Sequence, residues 1–255
     1  MYIIGTKDGQ PSNSTVSFVR PSDPTRPTDP NVPTLELSET RAQIHLTKLR
    51  ADSFVVSDDA GNVGYAREVQ KISYSDQDVL LTSVTPVVNV DIKLAQIYLA
   101  AFRRAPETGG YNYWVQQEAS SGIEGIANTI FSIASVKQIY PDSMTQAEFV
   151  TAIYNNVFNR TPDAEGLNYW TGQLNNKSRG ALVVDMTNAA LGAPEATDGK
   201  DFFENRLDWS TYAVGYQQTH AEMTPDHLVS LTSTVGENAA TVLKLVGQGE
   251  ANVLV

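Results

Sequence analysis

The sequence predicts an α+β protein: an extended N-terminal arm, a small β-sheet or β-sandwich region, then an all-helical domain with a duplicated helix-turn-helix unit. Three observations predict it. A proline recurs every third residue through Pro21, Pro24, Pro27, Pro30 and Pro33. Between residues 37 and 88 the apolar residues come in short runs parted by turn residues, the pattern of strands. From Val90 onward they recur at three- and four-residue spacing, the pattern of helices.

Residues 1–36 carry few large apolar side chains and are rich in Pro, Asp, Ser and Thr. A proline in every third place matches the three-residue turn of polyproline II, so this segment reads as an extended, semi-stiff arm. Its short apolar piece, Val16, Phe18 and Val19, is a candidate subunit contact that adds a strand to a neighbour; a plain linker is the alternative. Residues 37–88 read as a small β region. Ile44, Leu46 and Leu49 alternate with polar residues, and Phe54-Val55-Val56-Ser57 precedes the turn residues Asp58-Asp59-Ala60-Gly61-Asn62. Val63 to Tyr65, then Val69, Ile72 and Tyr74, and finally Val79-Leu80-Leu81 complete four or five short strands.

The helical domain is expected over 89–246. Ile97, Tyr98, Ala101 and Phe102 share a face, as do Ile123, Ile126, Ala127, Ile130, Phe131 and Ala134. Thr145 with Glu148 three residues on is a capping box, and the helix behind it lines up Phe149, Ile153, Tyr154, Val157 and Phe158. Further helices are expected near 181–191, 200–217, 225–231 and 236–246, with a C-terminal tail over 247–255.

The strongest signal is internal. Residues 97–114 align without a gap on residues 153–170, and about half of the aligned positions are identical. The shared positions include Ile97, Tyr98, Phe102, Arg104, Pro106, Gly110, Asn112, Tyr113 and Trp114 in the first copy. In the second they are Ile153, Tyr154, Phe158, Arg160, Pro162, Gly166, Asn168, Tyr169 and Trp170, with Asp163 where the first copy has Glu107. The physical reading is a helix ending at the Arg, where a cation complements the negative helix end. Ala105 or Thr161 then caps a second helix that starts at the Pro. The Gly inside that helix costs about 1 kcal/mol against Ala, which close approach of a neighbouring helix backbone would justify. The Tyr-Trp pairs fill the space between helices or, alternatively, offer a stacking surface to sugars. The Arg pair caps and forms ion pairs or, alternatively, grips an anion.

Composition narrows the function classes. A net charge of −11 repels phosphate backbones and anionic membrane surfaces, so neither nucleic acid nor such a membrane is expected as a partner. No apolar run approaches the roughly 20 residues of a membrane span. There is no cysteine, which removes disulfides, thiolate metal sites and a cysteine nucleophile. The opening residues lack the basic and apolar regions of a cleaved signal peptide. Imidazole is limited to His45, His220 and His227, and Pro225 is expected to part the last two. No phosphate loop, dinucleotide fingerprint or nucleophile elbow occurs. The expectation is a protein that is not an enzyme and has no catalytic residues or cofactor.

At the duplicated motif the sequence resembles the bacterial domain of unknown function numbered 4214. That family's pattern runs Tyr, three residues, Leu or Phe, one residue, Arg, one residue, Pro-Asp, two residues, Gly, two residues, Tyr-Trp. The second copy is similar almost throughout; the first departs at Glu107. Residues 67–81 and 203–212 are similar to stretches that flank the motif in the family, so the resemblance spans roughly 50–246. It implies tandem helical units distantly similar to phycobilisome linker domains, in large secreted or surface-layer proteins beside calcium-binding β-rolls. The glycine-rich nonapeptides of such rolls are missing here, so calcium is an expectation inherited from the family's neighbours alone. No established catalytic residue comes with the resemblance. The tail Glu250 to Val255 is similar to uncleaved C-terminal export signals. The expected function is a secreted or cell-surface structural protein that self-assembles into a layer, sheath or filament, its main partner being itself. The alternatives are an adhesin-like module holding surface glycans or another partner, and an auxiliary region of a secreted hydrolase.

Overall fold

The computed structural model describes residues 2–7, 10–11, 34–37, 40–51, 53–58, 63–67, 69–80, 91–194, 199–236, 242 and 245. The chain divides into two compact units, one of residues 1–89 with 239–255 and one of residues 90–238.

The first unit is built on two sheets. Its strands are β1 (Tyr2–Lys7), β2 (Gln10–Pro11), β3 (Thr34–Glu36), β4 (Ile44–Lys48), β5 (Phe54–Asp58), β6 (Val63–Arg67), β7 (Lys71–Ser73) and β8 (Asp78–Leu80). One sheet has the order β2-β1-β6-β5-β4, and the other β3-β7-β8. All pairings are antiparallel except β3 with β7. The five strands from β4 to β8 are those the alternating pattern predicts. The expected arm differs at both its ends. Tyr2–Lys7 pairs along β6, and Thr34–Glu36 along β7. Tyr2–Lys7 is rich in β-branched and aromatic residues, so ladder pairing there competes well with an extended solvated chain. The proline run and Val16, Phe18 and Val19 lie outside the described residues. Phe54, Val56 and Ala66 of one sheet and Leu35 and Ile72 of the other join Leu37, Ile44, Val69 and Tyr74 in one apolar core.

The second unit is helical: α1 (Ile92–Phe102), α2 (Thr108–Ser132), α3 (Ala134–Ile139), α4 (Gln146–Phe158), α5 (Ala164–Gln173), α6 (Arg179–Leu191), α7 (Lys200–Thr219) and α8 (Pro225–Ser233). The expected helix over 236–246 falls almost wholly outside the described residues. The capping box of α4 forms as read. Thr145 Oγ1 accepts from the Glu148 amide at 3.2 Å, and Glu148 Oε2 accepts from the Thr145 amide at 2.8 Å. α2 breaks at Gly122, whose φ of 62° and ψ of 172° are open to glycine and strained for other residues.

That break extends the duplication. Gly122 and Ser178 stand at equivalent places, each immediately before the third helix of its copy. The buried positions then run in step: Ile126, Ala127, Ile130 and Phe131 in one copy, Leu182, Val183, Met186 and Thr187 in the other. Each copy is therefore three helices, the first formed by α1 and the two halves of α2, the second by α4, α5 and α6. Equivalent helices pack on each other: α1 on α4, and the second half of α2 on α6. Asn156 of α4 donates to the Ala100 carbonyl of α1 at 2.7 Å, and the Tyr140 hydroxyl donates to the Ala101 carbonyl at 2.9 Å. Phe131, Tyr140 and Phe149 form a triangle of rings with centroids 5.5 to 5.6 Å apart.

α7 packs against α1, α2, α4 and α6 and is buried along most of its length, although its composition is polar. Several of its polar groups are bonded internally. Asn205 Nδ2 donates to the Gly236 carbonyl at 2.9 Å, Arg206 Nε to the Val235 carbonyl at 3.0 Å, and Trp209 Nε1 to Thr232 Oγ1 at 3.1 Å. Burial, with the nearby Arg103, pulls the Arg206 guanidinium down to about 10.

The tightest helix contact sets a clear test. A Cβ at Gly180 would lie 2.4 Å from the Asn128 amide nitrogen and 2.6 Å from the Ala127 carbonyl carbon. In an open helix Gly→Ala stabilises by about 1 kcal/mol, but here the backbone itself must shift. Gly180→Ala is expected to destabilise the protein by roughly 1–3 kcal/mol, measured by urea denaturation.

Candidate functional site

The motif residues converge on the two turns, α1 to α2 and α4 to α5. Each first helix ends on a residue in the left-handed region, Arg103 at φ 58° and Asn159 at φ 55°. They are the two non-glycine residues at positive φ among the described residues. Asn tolerates that region well and Arg poorly, so the tertiary turn holds Arg103 where local preference would not. The helices end there rather than at Arg104 and Arg160, as the sequence suggests.

The next residue turns back over its own helix. The Arg104 guanidinium lies 5.4 Å from the Tyr98 ring centre, and that of Arg160 lies 5.2 Å from the Tyr154 ring centre. These are cation–π contacts made inside the turn. Tyr98 stacks at a tilt on Phe102 with centroids 5.2 Å apart, and Tyr154 on Phe158 at 4.4 Å. Burial holds the Tyr98 hydroxyl well above the usual tyrosine range, and the nearby Glu107 adds to it.

The second helices start later than the proline. Glu107 and Asp163, not Ala105 and Thr161, are the N-caps, and Pro106 and Pro162 precede them. The reason is reach. The Asp163 carboxylate accepts from the Gly166 amide at 2.7 Å, satisfying a helix-end donor that a residue before the proline is too far away to serve. Glu107 makes no such bond. Its longer side chain instead pairs with the Arg104 guanidinium. The start of α2 is served from elsewhere, by Glu222 Oε1 accepting from the Gly109 amide at 2.8 Å.

The motif glycines make room for this clamp and not for a helix backbone. A Cβ at Gly110 would stand 2.5 Å from the Tyr98 hydroxyl and 2.7 Å from Glu107 Oε1. At Gly166 the equivalent contacts are looser, 3.2 Å to Asp163 Oδ1 and 3.9 Å to Tyr154. The Tyr-Trp pairs divide between core and surface. Trp114 is 7% exposed and hydrogen-bonds Tyr98, and Trp170 is half-buried. Tyr113 and Tyr169, by contrast, are 55% and 57% exposed. Each exposed ring rests edge-on against its Trp, centroids 4.8 and 5.0 Å apart.

The two turns differ in surroundings. Arg104, Ala105 and Pro106 are buried under α7 and α8, with the Ala105 amide bonded to Thr232 Oγ1 at 3.3 Å and the Pro106 carbonyl to Gln217 Nε2 at 3.2 Å. Arg160, Thr161 and Asp163 are exposed.

A cleft of about 290 Å³ opens beside the second copy, lined by Asn128, Phe131, Lys137, Asp142, Ser178 and Arg179. Its charges are engaged. Arg179 donates to the carbonyls of Tyr140, Pro141 and Met144 at 2.8 to 3.0 Å and lies 4.7 Å over Phe149. Lys137 pairs with Asp142 at 2.7 Å. Arg179 is the anchor that sequence reading misses: the first copy has Ile123 in its place, so the repeat carries no trace of it. His220 closes α7, stacked 3.9 Å over Tyr216, and His227 lies on α8, so Pro225 does part them. Among the described residues no three His, Cys, Asp or Glu side chains gather as a metal site, and no helix is long and apolar enough to cross a membrane.

The family model described as Domain of unknown function (DUF4214) matches residues 127–191, from the second half of α2 to the end of α6. This takes in the whole second copy and leaves the first motif outside. No curated protein and no solved structure matches the chain.

Two measurements test this geometry. Gly110→Ala is expected to destabilise by roughly 1–3 kcal/mol and Gly166→Ala by clearly less, compared by denaturant midpoint. The second concerns Glu118, pushed up to about 7 by its hydrogen bond to Asp91, then by burial and by the Asp91 charge, with Lys93 opposing. The group binds its proton more tightly folded than unfolded. Its contribution is therefore complete below the ordinary glutamate range and lost as pH rises through about 7. Thermal melts from pH 5 to 8 should show a decline in the native protein that Glu118→Gln flattens, since the amide keeps donating to Asp91.

Proposed function

With residues 127–191 belonging to the DUF4214 family, we propose that the chain is a non-enzymatic structural protein of the cell surface or extracellular space. It self-assembles into a layer, sheath or filament. The observation that carries this reading is what the signature residues touch. Tyr98 and Arg104, Tyr154 and Arg160, Gly110 against Tyr98, and Asp163 on the Gly166 amide all hold their own turn together. A motif whose chemistry is engaged in packing suits a protein whose product is an architecture.

Other features lean the same way. A net charge of −11 keeps a concentrated protein soluble until specific contacts form. Residues 12–33, with Val16, Phe18 and Val19, are the proposed connector between subunits. Calcium enters as a factor of assembly, by analogy with the setting of the family, and not as a catalytic ion.

Negative-stain microscopy of the full chain, with calcium and with chelator, tests the reading. Ordered sheets or filaments are expected, and they should vanish when residues 12–33 are deleted while the helical circular dichroism stays. Monodisperse particles in both conditions would rule self-assembly out.

A further inference from the structure

The identity between the two copies extends to surface positions that packing does not explain. Tyr113 and Tyr169 are exposed at the same place in each copy. Each is preceded by an exposed Asn, Asn112 and Asn168, and followed four residues later by a half-exposed Gln, Gln117 and Gln173. On a helix the Gln four places on lies alongside the ring, and the Asn one place back stands about 100° round the same exposed surface. The glycine three places before it, required by the clamp beneath, also leaves no side chain at that shoulder. None of the four amide side chains makes a hydrogen bond among the described residues. Their donors and acceptors are free to serve a ligand.

We propose that Tyr113 with Asn112 and Gln117, and Tyr169 with Asn168 and Gln173, are two equivalent platforms for a neutral polysaccharide. A pyranose presents a face of C–H bonds and a rim of hydroxyls. The flat tyrosine ring meets the first and the paired amides meet the second. The edge-on Trp beneath each ring, at 4.8 and 5.0 Å, holds it in orientation, so little freedom is lost on binding. A single ring among amides is too small an apolar surface for a stable protein interface, which buries on the order of 800 Å² per partner. The net charge of −11 disfavours uronate or sulfated chains and selects a neutral one. Two platforms on one chain let a long polymer engage both, so modest single-site binding is multiplied. The inference stands apart from self-assembly, which runs through other surfaces.

Native affinity electrophoresis with a β-glucan, a mannan, a galactomannan and a xylan tests it, with alginate as the charged control. At least one neutral polymer should retard the full-length protein and alginate should not. Tyr113→Leu or Tyr169→Leu alone should weaken retardation by about tenfold or more, and the two together should abolish it. Leu keeps an apolar contact with each Trp, and an unchanged melting curve with unchanged particles in negative stain would separate loss of binding from loss of fold or assembly. Asn112→Ala with Asn168→Ala, which leaves both rings in place, should weaken binding as well. No retardation by any neutral polymer, preference for alginate, or full binding by the double Leu variant would overturn the proposal.

Discussion

The helical unit depends on a reversal of the chain made twice within five residues, and the tyrosine of the preceding helix holds each reversal in place. Tyr98 and Tyr154 sit under an arginine on one side and over a glycine on the other. The left-handed residue before each arginine sends the chain back, and the cap acid starts the next helix. No part of this clamp is strong alone. A cation–π contact is worth about 0.5–2 kcal/mol, and a cap about 1 kcal/mol. Together they fix the angle between two helices, and that angle determines where the third helix of the copy lies. The approach of Gly180 to Ala127 and Asn128 is possible only once both turns are in place.

The copies use one motif differently, and the difference follows from a single methylene. Asp163 is short enough to cap its own helix, which suits a turn left in solvent. Glu107 is longer, reaches Arg104 and gives up the cap. The start of α2 is served instead by Glu222, from the segment joining α7 to α8, on the neighbouring Gly109 amide, and those helices lie over the first turn. The departure from the family pattern at Glu107 therefore coincides with the place where the duplicated unit meets the rest of the domain. An exposed turn must cap itself, whereas a covered one can be capped by its cover.

α7 shows where pattern reading reaches its limit. Its helical character is legible from length and composition, but nothing in its sequence marks it as buried. Asn205, Asp208 and Ser210 are fully enclosed, and its apolar residues form no single stripe because α1, α2, α4 and α6 meet it on several sides. A helix enclosed from many directions loses the amphipathic signal that a helix on one surface keeps. Arg179 escapes notice for a related reason. Its value lies in three loop carbonyls from residues 140–144 that only the tertiary fold brings to it.

The sequence by itself determined the α+β class, the five strands from β4 to β8, the capping box at Thr145 and the duplication with its family. Those features are written in short-range periodicity or in direct internal identity, which survive without knowledge of neighbours. Tertiary structure alone decided the pairing of β1 with β6, the extension of the repeat to a third helix, and the outward placement of Tyr113 and Tyr169. It also decided which acid caps and which pairs. These outcomes depend on distances between segments far apart in the chain, and a difference of one methylene in reach, as between Asp163 and Glu107, reverses a side chain's role without changing the pattern that contains it.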